Sequence, residues 1–431
     1  MIFRVLFATA SAVGLLAAAN TTPTFSHDVA PILQKNCQGC HRPGEAAPFS
    51  LLSYKEARPW AASIKEAVRM KRMPPWPADP HFGKFANDRA LSQTDIDTVV
   101  SWASNGAPEG NPKDLPAPAK FTEGWNIGTP DVLLTMAEKH HVPAAGTIDY
   151  QYILVPMNLT EDKWVQMAEV RPGNRAVLHH VIAYVREPGS KWMKDAKPGV
   201  PWVPTKENGG GGMGNAEFLV GYAPGVPPMQ HPDGRAKLIK AGSDIVLQIH
   251  YTANGKDAYD QSTVGLKYAS GPVVERAITL PAANSRFMIP AGDSNYEVKS
   301  SFEFGTDTKI TMLAPHMHLR GKDFLYKVVY PTGEEQTLLS VPAYDFNWQL
   351  WYTPLKEIVV PKGTRLECTA HFDNSANNKY NPDPTKVVRF GEQSWEEMMI
   401  GFFDVAIDAK ANPGSLFPAR KPAAVKPALE E

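Results

Sequence analysis

The spacing of apolar positions changes along the chain. Behind Arg4 an almost unbroken apolar run extends from Val5 to Leu16, and Ala17, Ala18 and Ala19 precede Asn20. A charged start, a short apolar run and small residues predict a removable export segment over 1–19, with the mature chain beginning near Asn20. From there the period is helical. Val29, Ile32 and Leu33 share one face behind a candidate cap at Ser26, and a second helical stretch covers Lys55 to Arg72. A third begins at Ser92, with an acidic residue at Asp95. It carries Ile96, Val99, Val100 and Trp102, and stops before Pro108. Residues 106–120 read GAPEGNPKDLPAPAK. So much proline builds neither helix nor central strand, which predicts a semi-extended spacer. From Trp125 to about Asp408 the segments are short, rich in Val, Ile and aromatics, and punctuated by Gly, Pro and Asn. That pattern predicts antiparallel sandwiches. Residues 413–431 form a Pro/Ala/Lys-rich flexible tail.

Composition narrows the picture. With 431 residues and 43% apolar content the chain can bury several cores, and a mostly disordered chain is excluded. Formal net charge is -1, so nothing points to nucleic acid or an anionic membrane as partner. No other stretch approaches the ~20 apolar residues of a membrane span, which predicts no membrane anchor. Three cysteines cannot make a disulfide framework.

Two of those cysteines sit in Cys37-Gln-Gly-Cys40-His41. In C-x-x-C-H the two thiols add to haem vinyl groups and the adjacent imidazole reaches the iron. A zinc half-site or a redox dithiol competes for this motif. The first lacks a second Cys/His pair nearby and the second lacks a βαβ setting. With its helical flanks the segment 22–110 resembles a small class I cytochrome c domain. Met73, on the rigid Met73-Pro-Pro-Trp76 loop, is the first choice for the sixth iron ligand, with Met70 and His81 as alternatives.

Histidines cluster in the β-type region. His179-His180 lies in VLHHVIAYV, where neighbouring residues on a regular strand face opposite ways, so one shared metal requires a twist or a bulge. His250 lies in IVLQIHY, on the face opposite Ile245, Leu247 and Ile249. His316-Met-His318 is an H-x-H pair whose imidazoles share one face of a strand. Met398 follows in SWEEMMIG. Each feature alone is weak. Together, imidazoles with a thioether suit copper.

The order HH, then HY, then HxH, then EM resembles the type II copper, ascorbate-dependent monooxygenases (peptidylglycine α-hydroxylating monooxygenase and dopamine β-monooxygenase). The likeness covers about Trp125–Asp408 and rests on the strings LQIHY and HMHLRGK. It implies two antiparallel, jelly-roll-like β-sandwiches, each with one copper ion, facing across a solvent-filled cleft. His179, His180 and His250 would hold the electron-transfer copper, and His316, His318 and Met398 the catalytic, oxygen-binding one. The reaction implied inserts one atom of O2 into a C–H bond. Two departures stand out. Ala314 occupies the place where peptide-hydroxylating members carry an Arg for the substrate carboxylate, so a peptidylglycine substrate is not expected. Met399 replaces a Cys of those members, which leaves Cys368 as a buried free thiol.

The expected fold class is therefore multidomain: a small all-α cytochrome c domain followed by two antiparallel β-sandwiches. Its parts are 22–110 (haem), 111–121 (linker), 122–272 and 273–412 (copper units). The expected function is an exported copper monooxygenase, periplasmic or secreted, acting on a small organic substrate with O2. A covalent haem c would relay electrons from an ascorbate-like reductant or a periplasmic redox protein. Two other readings are a non-enzymatic haem/copper electron-transfer or copper-binding protein, and a β-sandwich binding module with structural metal. Weaker candidates are the glycine run 209–214 with Met213, read as a linker or cleft loop; His140-His141, read as solvated; His231 and His371, with His371 as the better supporting residue; Tyr251 as a cleft residue; and the turn-rich stretch 373–383.

Overall fold

The computed structural model describes residues 22–203 and 216–419. The export segment, the 209–214 glycine run with Met213 and residues 420–431 lie outside the described residues; the first part of the expected 413–431 tail is instead a 3-10 turn at Pro413–Leu416, with Leu416 buried in the second β core. Among the described residues, no helix is long and apolar enough to cross a membrane.

The chain is mostly β, organised in several sheets. Only its first part is helical, and the helices are short: α1 (Ala30–Asn36), α2 (Tyr54–Ala57), α3 (Ala61–Arg69) and α4 (Gln93–Ser104). Their shared core is built on Phe25, Leu33, Ile64, Val99 and a fully buried Trp102. The α4 cap is as expected, with Ser92 Oγ accepting from the Asp95 amide at 3.1 Å. Two expectations fail. Ser26 is not a cap: the first turn opens two residues earlier, with Thr24 in the cap position and its amide bonded to the Asp28 carboxylate at 2.7 Å. The stretch Lys55 to Arg72 is not one helix, because a 3-10 turn at Arg58–Trp60, carrying Pro59, separates α2 from α3.

Sixteen strands carry the β part: β1 (Val132–Thr135), β2 (Gln151–Pro156), β3 (Lys163–Arg171), β4 (Leu178–Arg186), β5 (Glu217–Tyr222), β6 (Arg235–Ile239), β7 (Asp244–Tyr251), β8 (Thr263–Tyr268), β9 (Glu275–Asn284), β10 (Tyr296–Glu303), β11 (Thr308–His316), β12 (Gly321–Val329), β13 (Glu335–Val341), β14 (Ile358–Val360), β15 (Arg365–Phe372) and β16 (Met399–Asp408). One sheet runs β1-β8-β3-β6-β9-β16-β11-β14 through both halves, with Met229–Gln230 added on β3. Two four-stranded sheets, β2-β7-β4-β5 and β10-β15-β12-β13, complete the layers. In the first half Val165, Val264 and Ile239 of the long sheet share a core with Ile153, Val181 and Leu247 of the facing sheet. In the second half Ile310, Phe403 and Val405 meet Phe324, Leu366 and Phe372 in the same way. Alternation along each strand puts these residues inward.

The halves join where β6 pairs in parallel with β9 over two residues, Arg235–Glu275 and Ala236–Arg276. A buried polar seam runs beside that short pairing. Lys237 Nζ donates to the Phe218 carbonyl and to Thr279 Oγ1, each at 2.6 Å, and Thr279 donates to Asp404. Arg276 pairs with Glu217 at 2.9 Å and Arg235 with both Glu275 and Glu357. Such a seam is costly to open, because each group would be left buried and unpaired.

The helical part is not held by the proline segment alone. Trp76 and Phe85 pack against the core of the second β half. The Asp79 amide bonds the Ser340 carbonyl at 2.8 Å, and Ala86 bonds Thr353 at 2.8 Å. The 111–121 stretch is no free spacer: it makes a 3-10 turn at Pro112–Asp114, and Arg42 stacks over Phe121 at 4.3 Å.

Candidate metal and redox site

The His179–His180 pair opens β4, and there its register against β7 slips by one residue: Leu178 faces Tyr251, whereas His180 faces His250. His179 is the extra residue, so the strand bulges where two neighbouring imidazoles must turn inward together. The Nδ1 atoms of His179 and His180 are 3.1 Å apart. Candidate ligand nitrogens of His179, His180 and His250 all lie within 4.8 Å of one another. Two ligands at ~2.0 Å from one ion in a tetrahedral arrangement stand ~3.3 Å apart, so this spacing suits a shared ion. His250 Nδ1 is buried without a hydrogen-bond partner, a position that a metal would satisfy. Burial pushes His179 down to about 4 and His250 to about 3, and holds His180 well below its ordinary value, so all three are neutral, lone-pair donors at pH 7.

His316 ends β11 and pairs with Ile400 of β16. His318 lies just past the strand end, so the expected single-strand H-x-H face is replaced by a strand end and a turn. The rings are 5.2 Å apart at 89°. Met398 is half-buried and directly precedes β16, next to Glu397, whose carboxylate accepts the His318 amide. Both rings are oriented through Nδ1: His316 against Gln349 Oε1 at 2.7 Å, His318 against the Glu396 carbonyl at 3.3 Å. Nε2 is then left for a ligand, and Nε2 of His318 is buried without a partner.

The two groups are close neighbours, and the solvent-filled cleft implied by the resemblance is not seen. Tyr150 stands between them, 4.5 Å from His250, 5.3 Å from His180 and 6.4 Å from His318 (ring centroids). Phe346 stacks on His179 at 4.8 Å and reaches His318 at 5.9 Å. A cavity of ≈ 40 Å3 touches both His180 and His316.

Cys37 is half-buried and Cys40 exposed, both as free thiols. His41 Nδ1 meets the Phe49 carbonyl at 3.3 Å, which leaves Nε2 free, and its ring packs on Phe49 at 4.6 Å. Cys40 lines a cavity of ≈ 240 Å3 together with Arg89, Arg175 and Tyr222. This cavity and the one at His180 share the wall Gly221, Tyr222 and Val226. Of the two thiols, only Cys40 borders this open space; Cys37 and His41 do not line it. Of the three candidates for its sixth ligand, Met73 is half-buried, Met70 is exposed, and His81 is exposed and turned to Asp79 at 2.6 Å.

Other expectations need correction. His371 bonds Asp323 at 2.7 Å within its own sheet and supports neither histidine group. His231 is half-buried near Asp404 and Lys237 at the seam. His140 is half-buried and stacks on Tyr251 at 5.0 Å, whereas His141 is exposed as expected. Tyr251 donates to Asp260 at 2.9 Å instead of lining a cleft. Cys368 is a buried thiol, as expected.

Sequence reading missed the acidic loop that carries Met398. Glu392 accepts from the Tyr152 hydroxyl at 3.0 Å, and Tyr152 in turn accepts from Gln248, which shares a face of β7 with His250. Burial pushes Glu392 from 4.5 up to about 7. The folded state therefore holds this proton more tightly than the unfolded chain. The resulting stability is complete below pH 4.5 and lost as pH rises through 7. Glu392→Gln is expected to remove that decline and stabilise the protein at pH 8 by up to about 3 kcal/mol, measured by urea unfolding at pH 5 and pH 8.

The arrangement defines a mostly β protein with one buried three-histidine cluster and a second histidine pair beside it. No family model and no curated protein matches the chain. Among solved structures, PNGF-II is 9% identical and covers 65% of this chain at a TM-score of 0.26; this chain spans 65% of its length. The major capsid protein P2 of bacteriophage PM2 is 8% identical over 65% of this chain and 99% of its own, also at 0.26. The VP2 subviral particle of infectious bursal disease virus is 8% identical over 66% of this chain and 74% of its own, at 0.18.

Proposed function

We propose that the protein is an exported copper monooxygenase with a fused c-type haem as electron donor, built as a cytochrome c-like unit followed by two jelly-roll-like sandwiches. The observation that carries this reading is the bulge at His179, which turns three imidazoles toward one point beside a second pair with free Nε2 atoms. His179, His180 and His250 would hold one copper ion, and His316, His318 and Met398 the other. Cys37 and Cys40 would bind the haem covalently, with His41 and Met73 as axial ligands. Bound copper supplies reduction of O2 with hydroxylation of a C–H bond, two electrons and two protons completing one water, and the haem supplies one-electron transfer.

The chain's own residues do the rest. Gln349 and the Glu396 carbonyl fix the ring tautomers, and burial keeps every imidazole neutral. Tyr150 and Phe346 exclude water between the two groups. The wall shared by the Cys40 cavity and the cavity at His180 and His316 places the cysteine motif next to both histidine groups. An ascorbate-like reductant or a redox protein would reload the haem.

A second reading, an electron-transfer or copper-holding protein without catalysis, is favoured by how little space Tyr150 and Phe346 leave. The copper-to-haem-iron ratio after copper loading and desalting tests both. Two coppers per iron, with O2 uptake coupled to haem oxidation, is expected. Two coppers without uptake leaves the second reading, and near-zero copper overturns both.

A further inference from the structure

The larger cavity, beside Cys40, is unbalanced in charge. Four charged side chains line its ≈ 240 Å3: Arg89, Arg175, Glu45 and Glu169. Both carboxylates are already neutralised by residues outside the lining. Glu45 takes Arg42 at 3.0 Å, and Glu169 takes Arg171 at 2.9 Å together with the Asn126 and Ile127 amides. Two guanidiniums are left in excess. Arg175 reaches Glu45 only at 3.6 Å and donates from Nη1 to the Tyr222 hydroxyl at 3.0 Å. Arg89 is half-buried and has neither a hydrogen bond nor an ion pair among the described residues. Its guanidinium rests against the turn at Gly225, where φ is +85° and a Cβ would stand 3.3 Å from Nη1. Tyr222 accepts from Arg175, so its own proton is left to donate into the same space. A guanidinium meets a carboxylate through two parallel hydrogen bonds, and two such forks suit two carboxylates. The room is that of about twenty waters, ample for a four-carbon dicarboxylate.

We propose that this cavity binds a small free dicarboxylate, held by Arg89, Arg175 and the Tyr222 hydroxyl. The proposal goes beyond the monooxygenase reading and does not rest on it, since none of these three residues belongs to either histidine group. The propionates of a haem are the other source of paired carboxylates. They leave the porphyrin at the edge opposite its thioether links, away from a cavity that Cys40 borders, which favours a free anion.

The test is isothermal titration calorimetry of the full-length, haem-loaded protein with succinate, and with succinamide as its neutral counterpart. Saturable succinate binding at one site is expected, weakening as sodium chloride is raised, with succinamide at least about tenfold weaker. Arg89→Gln removes a cation that pairs with no other residue, so the fold should hold and succinate should weaken by about tenfold or more. Arg89→Lys keeps the charge without the fork and should fall between. Arg69→Gln, at the exposed end of α3, should bind like the parent. Repeating the titration on the haem-free chain separates the two sources of carboxylate. Equal succinate binding with and without haem supports the free anion. Binding seen only without haem gives the cavity to the haem and overturns the proposal. Equal affinities for succinate and succinamide, indifference to Arg89→Gln, or no succinate binding in either form would overturn it as well.

Discussion

On the proposed copper monooxygenase reading, His250→Ala is expected to lower copper from two ions per chain to one and to reduce substrate turnover by more than about a hundredfold. Removing a residue that merely supports a metal ligand already costs ten- to a hundredfold, and here a ligand itself is lost. His250 faces His180 directly across the β4–β7 pairing, and its Nδ1 is the buried atom with no other partner. Without it His179 and His180 remain as a two-nitrogen pair, too few donors for a retained ion. His318→Ala should remove the other copper and leave the three-histidine one. The two variants are separable by metal analysis and by the copper EPR signal, so the result does not hang on finding the substrate.

Glu397→Ala should destabilise the protein by about 3–5 kcal/mol. The side chain is fully buried. It accepts the His318 amide at 2.9 Å and the Arg320 amide at 2.7 Å, and so shapes the turn that presents His318. Arg320 is itself 2% exposed, its guanidinium held by Asn374 and the Trp395 carbonyl. Alanine leaves two buried amides without acceptors and a buried cation without its neighbouring carboxylate. Glu397→Gln keeps one acceptor and should cost about half as much. Urea midpoints with unchanged slopes would register this as stability rather than a change of the unfolded state. Equal midpoints for Glu397→Ala and the parent would show that the turn is held by something else.

The parts of this architecture governed by local chemistry were readable from residues alone. The Ser92 cap and the Trp102 face of α4 are short-range patterns, and each is present as expected. Strand geometry calls for a twist or a bulge at the His179–His180 pair, and the register shows a bulge. What escaped depends on distant pieces of chain. The β6–β9 parallel pairing rests on two residues per strand, with no periodic signal to announce it. Tyr150 and Phe346 read as ordinary aromatics, because only the meeting of the two halves places them between histidines. Glu397 looked like a neighbour of Met398, since a buried carboxylate is recognisable only from the amides that turn toward it.

The segment around Trp76–Asn87 changes how electrons would have to travel. It returns from the helical part, lays Phe85 against Pro354 and locks Asn87 onto the Trp351 carbonyl and the Thr353 amide, more than 260 residues further along the chain. A cytochrome on a floating tether must collide with its acceptor, and its transfer rate falls as solvent thickens. Here the helical part is fixed to the second β half along this segment. Transfer between the two centres should therefore be unimolecular, insensitive to glycerol and indifferent to lengthening of the proline stretch.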